Sequence, residues 1–175
     1  MGFDAMTLYR AAKKLHRKGV PIVPEVLQKA IYFLHSSFVP HQAEIGEGTQ
    51  LGYGGIGVVI HKDARIGKHC LISQQVTIGG RSGLEGAPVI GNYVRIGAGA
   101  KILGPITIGD FAAIGANAVV VKDVRRGAVV AGVPAKELRR KPGSGVDLRS
   151  ELKVFPGGPA DPKAAEGAVR ARRAR

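Results

Sequence analysis

Tryptophan is absent from this 175-residue chain, aromatic side chains make up only 5% of it, and cysteine occurs once, at Cys70. Without large rings, a core has to be filled by Ile, Val, Leu and Ala. With one thiol, no intramolecular disulfide can staple it. Cys70 reads as a small buried filler in a protein of a reducing compartment. Long apolar runs are missing too: nothing approaches the roughly 20 residues needed to cross a bilayer. The apolar stretch near the amino terminus is broken by Arg10, Lys13, Lys14, Arg17 and Lys18, which argues against a secretory signal and predicts a soluble, cytoplasmic protein. Acidic residues are scarce, 13 against 26 Lys and Arg, for a net charge of +13.

Such a surplus directs attention to acidic partners, but its placement matters more than its size. Residues 1–40 carry six Lys/Arg against two acids, and residues 141–175 carry eight against four. Each end therefore holds a surplus of four, and residues 41–140 hold the remaining five. Much of the basicity thus lies in the end segments, which weakens the case for the middle of the chain as a polyanion binder, and nucleic acid is not an expected partner.

Three segments follow from patterning. Residues 1–40 predict a helical hairpin. Its first helix, over 4–18, is capped by Asp4 and stopped by Gly19 with Val20-Pro21. Its second starts at Pro24-Glu25, with Val26, Leu27, Ala30, Ile31 and Leu34 at helical spacing. The hairpin is expected to pack on the next segment or on a neighbouring subunit, or, as a basic amphipathic pair, on a membrane surface. His35 and His41 flank its exit and read as linker residues. Residues 141–175 mix Pro, Gly, Ala and charge without periodicity and predict a disordered basic tail.

What the chain has in abundance is a beat of six. From Ile45 to about Arg125, twelve hexads begin with an aliphatic residue, at 45, 51, 60, 66, 72, 78, 90, 96, 102, 108, 114 and 120, and eight have glycine second. Repetition of this kind marks a solenoid. Strand alternation turns the residue two positions earlier the same way, and Ala64, Cys70, Val76, Ala100, Ile106, Ala112 and Ala118 are all small or apolar. Three hexads would close one triangular turn, with turns stacked about 4.8 Å apart around a narrow, dry core. At Ile60 the glycine slot holds His61 instead, and three extra residues, Gly57 to Val59, precede that hexad.

Four blocks carry a resemblance. Gln75-Val76-Thr77-Ile78-Gly79-Gly80, Ile96 to Gly104, Ile114 to Val120, and Ala131-Gly132-Val133-Pro134-Ala135-Lys136 are similar, in this order, to the serine acetyltransferase branch of the hexapeptide-repeat acyltransferases. The resemblance spans roughly residues 39–140. It implies a mainly β fold: a left-handed parallel β-helix over residues 41–140, an exception to the usual right-handed crossover, behind a short N-terminal helical hairpin. It also implies a homotrimer with acetyl-CoA laid in grooves between neighbouring coils, and no metal. The pantetheine arm would pass Gly79, Gly80, Ala98 and Ala116, while Lys122, Lys136 and Arg139 would meet the phosphates and adenine.

The resemblance also has departures. The two histidines of the serine branch align with Tyr53 and Ala87, and the neighbourhood of its aspartate reads Phe38-Val39-Pro40-His41. The stretch from Gly52 to Lys62 looks instead like serine-acetyltransferase-like enzymes that O-acetylate sugars and surface polysaccharides. The expectation is an acetyl-CoA-dependent O-acetyltransferase acting on a hydroxyl of a saccharide or small serine-like acceptor. Two alternatives stand beside it: a true serine O-acetyltransferase of cysteine biosynthesis, and a non-catalytic trimeric scaffold bound to membrane or polyanion. A hydroxyl needs a base, and His61 is the first candidate, His69 the second, with Tyr53 orienting the base or the acceptor. Residues Gly80 to Pro88 read as an extruded loop whose Arg81 and Glu85 help choose the acceptor. A carbonic anhydrase would need three converging histidines, and the coil holds only His61 and His69.

Overall fold

The computed structural model describes residues 4–138; Arg139 and the 141–175 tail, both assigned roles above, lie outside the described residues. Helix α1 runs Ala5–Arg17, with the Asp4 carboxylate accepting from the Thr7 N–H at 2.7 Å. Helix α2 runs Val23–His35, with Pro24 in the first turn, where a missing N–H costs nothing. No described helix is long and apolar enough to cross a membrane.

Fourteen short strands follow among the described residues. The first turn of the coil is β1 (Glu44–Ile45), β2 (Gln50–Leu51) and β3 (Val59–Ile60); the second is β4 (Arg65–Ile66), β5 (Leu71–Ile72) and β6 (Thr77–Gly79). The third is β7 (Val89–Ile90), β8 (Arg95–Ile96) and β9 (Lys101–Leu103), and the fourth is β10 (Thr107–Ile108), β11 (Ala113–Ile114) and β12 (Val119–Val120). β13 (Val129–Ala131) opens a fifth turn, and β14 (Lys136–Glu137) folds back on it antiparallel. The strands stack into three parallel sheets, β1-β4-β7-β10, β2-β5-β8-β11-β13 and β3-β6-β9-β12, so the architecture is a parallel β-helix of about four turns.

Aliphatic residues stack in register up each face: Ile66 on Ile90 and Ile108, Ile72 on Ile96 and Ile114, Ile78 on Ile102. These isoleucines are buried, and so are all seven small or apolar residues expected to point inward. Burial pushes the Cys70 thiol up to about 11, consistent with filler rather than nucleophile.

The glycines are needed unequally at the three corners. At the first corner (46–49, 67–70, 91–94, 109–112), a Cβ on Gly67 would lie 2.5 Å from the Gly91 carbonyl oxygen, and one on Gly109 would lie 2.5 Å from the Arg126 nitrogen. At the second (52–58, 73–76, 97–100, 115–118), Gly97 faces the Ala116 nitrogen at 2.6 Å. The third corner is open: its column holds His61, Gly79, Leu103 and Val121, and a Cβ on Gly79 would meet nothing closer than 3.6 Å. His61 therefore replaces no required glycine, contrary to the sequence expectation; side chains are admitted at this corner. The three extra residues are also relocated. They swell the second corner of the first turn into the Gly52–Gly55 turn carrying Tyr53, one strand before His61.

Helix α1 closes the amino-terminal end of the coil. The Tyr9 hydroxyl donates to the Ala43 carbonyl at 2.7 Å and accepts from the Ile45 N–H at 3.2 Å, while Lys13 Nζ donates to Ala43 O at 2.6 Å and Arg10 to Thr49 O at 3.2 Å. These contacts occupy backbone groups that an open strand edge would expose. Under this lid His41 is buried, against the linker expectation, with its ring 4.5 Å from that of His16 and neither ring nitrogen hydrogen-bonded. Helix α2 departs from expectation too: only Pro24 and Ile31 are buried, while Val26 and Leu34 face out.

Two outcomes follow. Gly67→Ala should cost about 1–3 kcal/mol in urea unfolding because backbone must move, whereas Gly79→Ala should stay within about 0.5 kcal/mol of wild type. Burial, reinforced by His16, lowers the proton affinity of His41; Glu25 opposes this and Lys13 adds to it. The unfolded chain then binds that proton more readily, so stability is present above pH about 6.5 and is lost as pH falls below it. The urea midpoint should drop between pH 7.5 and 5.5, and drop less in His41→Leu.

Candidate active site

The three residues proposed for chemistry stand on three different corners. Tyr53 is on the second, exposed, in a left-handed conformation (φ 52°). His61 is on the third. His69 is on the first, where its ring stacks on Tyr93 (centroids 5.1 Å apart, 18°), Tyr93 stacks on Phe111 (5.1 Å, 1°), and Arg126 caps Phe111 at 5.0 Å. The other side of the imidazole is covered by Gly48. His69 thus belongs to a closed ladder along one edge of the coil and does not meet His61.

His61 borders a cavity of about 360 Å³ lined by Gln28, Phe38, Pro40, Gln42, Val59, Ile60, Lys62, Ile78 and Gly79. The chain builds it by adding Phe38 to the edge of the third sheet: its N–H donates to Val58 O and its carbonyl accepts from the Ile60 N–H, both at 2.8 Å. The floor is apolar, and two amides, an imidazole and an ammonium supply the polar groups.

The His61 main chain is held by donation to Ile78 O at 2.8 Å. Its Nδ1 accepts from the Asp63 N–H at 3.2 Å and lies 3.6 Å from the Asp63 carboxylate. With Nδ1 accepting, a neutral ring carries its proton on Nε2. A base acting through Nε2 needs the opposite tautomer, with Nδ1–H turned to the Asp63 carboxylate.

Gly79 and Gly80 stand beside this cavity on the same corner. Neither has a positive φ, and a Cβ on either would meet only ordinary contacts at 3.6 Å or beyond. Neither conformation nor stacking requires glycine there, so the bare backbone is left open to something outside the coil. The loop that follows folds away: an Arg81–Leu84 bridge closes it, and Arg81 and Gly86 pack near Gly104 and Pro105 of the third turn. Arg81 and Glu85 consequently do not line the His61 cavity. Ala98 and Ala116 occupy the second corner in the third and fourth turns, Lys122 the third corner in the fourth turn, and Lys136 pairs with Ala131 at the carboxyl-terminal end.

Residues 87–122 match the family model described as bacterial transferase hexapeptide (six repeats). The serine acetyltransferase of Synechococcus elongatus is 39% identical over 141 residues, covering 79% of this chain and 57% of the relative. Serine acetyltransferase 2 of Arabidopsis thaliana is 40% identical over 140 residues, covering 79% and 43%. Among solved structures, soybean serine acetyltransferase superposes with a TM-score of 0.71 at 35% identity, covering 77% of this chain and 56% of that one. The Brucella abortus enzyme in complex with coenzyme A gives 0.72 at 34%, covering 77% and 54%. The chain belongs to the hexapeptide-repeat family, on its serine acetyltransferase-like branch. It spans about half the length of the curated relatives it matches. A coil of opposite hand could not superpose so well, so this one winds as those structures do.

In this serine acetyltransferase-like chain, position along the axis follows position in sequence. Tyr53 and His61 lie in the first turn, Gly79 and Gly80 end the second, Ala98 lies in the third, and Ala116 and Lys122 in the fourth. Sequence reasoning missed Gln28, Gln42 and Asp63. Gln28 was detectable as a polar residue between apolar helical positions, and Asp63 as a turn former two residues after His61. Among the described residues no group of three His, Cys, Asp or Glu side chains is placed to hold a metal ion. Imidazole ¹⁵N shifts should show His61 in the Nε2–H tautomer in the ligand-free protein, and Asp63→Pro, which removes the N–H donor, should abolish that preference.

Proposed function

We propose that this chain is an acetyl-CoA-dependent O-acetyltransferase that acylates a small serine-like hydroxyl acceptor and works as a homotrimer. The observation carrying this reading is the bare backbone of Gly79 and Gly80 beside the His61 cavity, where side chains would fit. A narrow chain such as pantetheine can approach main chain most closely where Cβ atoms are missing.

Serine is the acceptor favoured by the relatives, which are named serine acetyltransferases; the soybean enzyme has been solved with serine. They lend no support to the saccharide acceptor expected from the Gly52–Lys62 stretch. The serine branch's histidine positions hold Tyr53 and Ala87 here, so the base role passes to His61. The positions of these residues support the trimeric reading. His61, Gly79, Gly80 and Lys122 share the third corner, while Tyr53, Ala98 and Ala116 share the second, so no single groove on one coil collects them. Setting the second corner of one copy against the third of the next unites both sets, and repeating that contact around a threefold axis closes the ring. The turns from His61 to Lys122 are three rises apart, roughly 14 Å.

Bound acetyl-CoA supplies the activated acetyl group. His61, having exchanged the Asp63 N–H for the Asp63 carboxylate, takes the acceptor hydroxyl proton through Nε2 as the new O–C bond forms, and returns it to the departing sulfur. Lys122 and Lys136 pair with phosphate oxygens at the far end. A reducing, cytoplasmic setting suits the free, buried Cys70.

His61→Ala should lower acetyl transfer by about 100-fold or more, with the trimer intact by sedimentation. An acceptor screen reading release of the CoA thiol should find L-serine, or a close analogue, ahead of saccharides. Near-normal turnover by His61→Ala would overturn the assignment of the base, and turnover with a saccharide but none with L-serine would overturn the acceptor.

A further inference from the structure

Helix α2 is amphipathic in the wrong sense for a surface helix. At 3.6 residues per turn, Val23, Val26, Ala30, Phe33 and Leu34 fall within an arc of about 100°. That arc faces outward: Val26 is 55%, Phe33 80% and Leu34 69% exposed, and Ile22, just before the helix, is 73% exposed. Pro24 and Ile31, on the opposite side, are the buried ones. Tyr32, also exposed, packs edge-on against Phe33 at 5.6 Å. A contiguous apolar strip of this kind on a helix normally meets a partner.

The charge around the strip narrows what that partner can be. Helix α1 buries Ala5, Met6, Tyr9 and Ala12 and turns Arg10, Lys14 and Arg17 to solvent, with Lys18 just after it, and Lys29 borders the strip on α2. Lys14, Lys18 and Lys29 form no ion pair among the described residues. Glu44, the acid of the coil that α1 reaches, is already engaged by Lys13 at 2.8 Å and Arg17 at 3.5 Å. Only Gly19, Val20 and Pro21 separate Lys18 from Ile22 along the chain, so cations and exposed apolar side chains are neighbours in sequence at the hairpin tip. A second copy packed strip to strip would bring two basic hairpins together with only Asp4 and Glu25 on each to offset them. A polyanion without an apolar phase would leave Phe33 and Leu34 wet.

We propose that the α1–α2 hairpin docks on an anionic lipid bilayer, with α2 in the interfacial plane. Val26, Phe33 and Leu34 enter the headgroup–acyl boundary, and Lys14, Lys18 and Lys29 meet lipid phosphates. This surface is separate from the His61 cavity and does not depend on the acetyltransferase reading.

The test is co-sedimentation of the full chain with vesicles of phosphatidylcholine alone or with about a third phosphatidylglycerol, at low and high salt. The expected result is salt-sensitive binding to the anionic vesicles only. Phe33→Glu/Leu34→Glu should weaken it by about tenfold or more, as should Lys14→Glu/Lys18→Glu, with circular dichroism and sedimentation mass unchanged. Wild-type binding by Phe33→Glu/Leu34→Glu would assign the interaction to the basic tail and overturn the proposal. Absence of vesicle binding, with a fall in assembly mass in that variant, would assign the strip to a second copy and overturn it equally.

Discussion

Backbone-to-backbone contact between successive turns is the constraint from which the rest follows. At the first and second corners the main chain of one turn lies so close to the next that Gly67 and Gly97 leave no room for a Cβ. That closeness lets three parallel sheets form simultaneously, each with strands of two or three residues that would be negligible alone. It also forces a core one side chain deep, which explains why isoleucine, valine and alanine fill it and why the chain does without tryptophan.

A coil built this way has two raw ends. Here the amino-terminal end is closed by side chains rather than by another turn: Tyr9, Lys13 and Arg10 reach carbonyls of the first turn that have no strand above them. The same helix buries His41 without satisfying its ring. Docking is therefore coupled to the protonation of one imidazole: acid opposes the burial of His41, while the contacts donated by Tyr9, Arg10 and Lys13 to carbonyls do not depend on it.

The repeat made much of the fold legible. The inward positions, including Cys70, were readable because a period of six combined with strand alternation leaves one solution for a stacked coil. The period could not say which corner a residue occupies, since all three corners share it. His61 therefore looked like a broken rule when it stands at the one corner where no such rule applies, and the three extra residues were credited to it although they enlarge the corner of Tyr53. Helical spacing in α2 showed which residues share a face but not which face looks inward, because Leu27 and Ile31 compete with Val26 and Leu34 for that role. Gln28 and Gln42 come to the cavity from separate segments that only docking of the hairpin brings together.

Stacking in strict chain order also makes the coil a ruler. Ile90 and Ile108 pair across one turn with 18 residues between equivalent positions, and each such turn adds one strand spacing. Inserting or removing 18 residues in the regular portion would leave every glycine against its proper neighbour and every isoleucine in its column, while lengthening or shortening the separation between Gly79 and Lys122 by one graduation. The distance between two positions on this scaffold is thus adjustable in whole steps, and intermediate lengths are forbidden by the same contacts that hold it together.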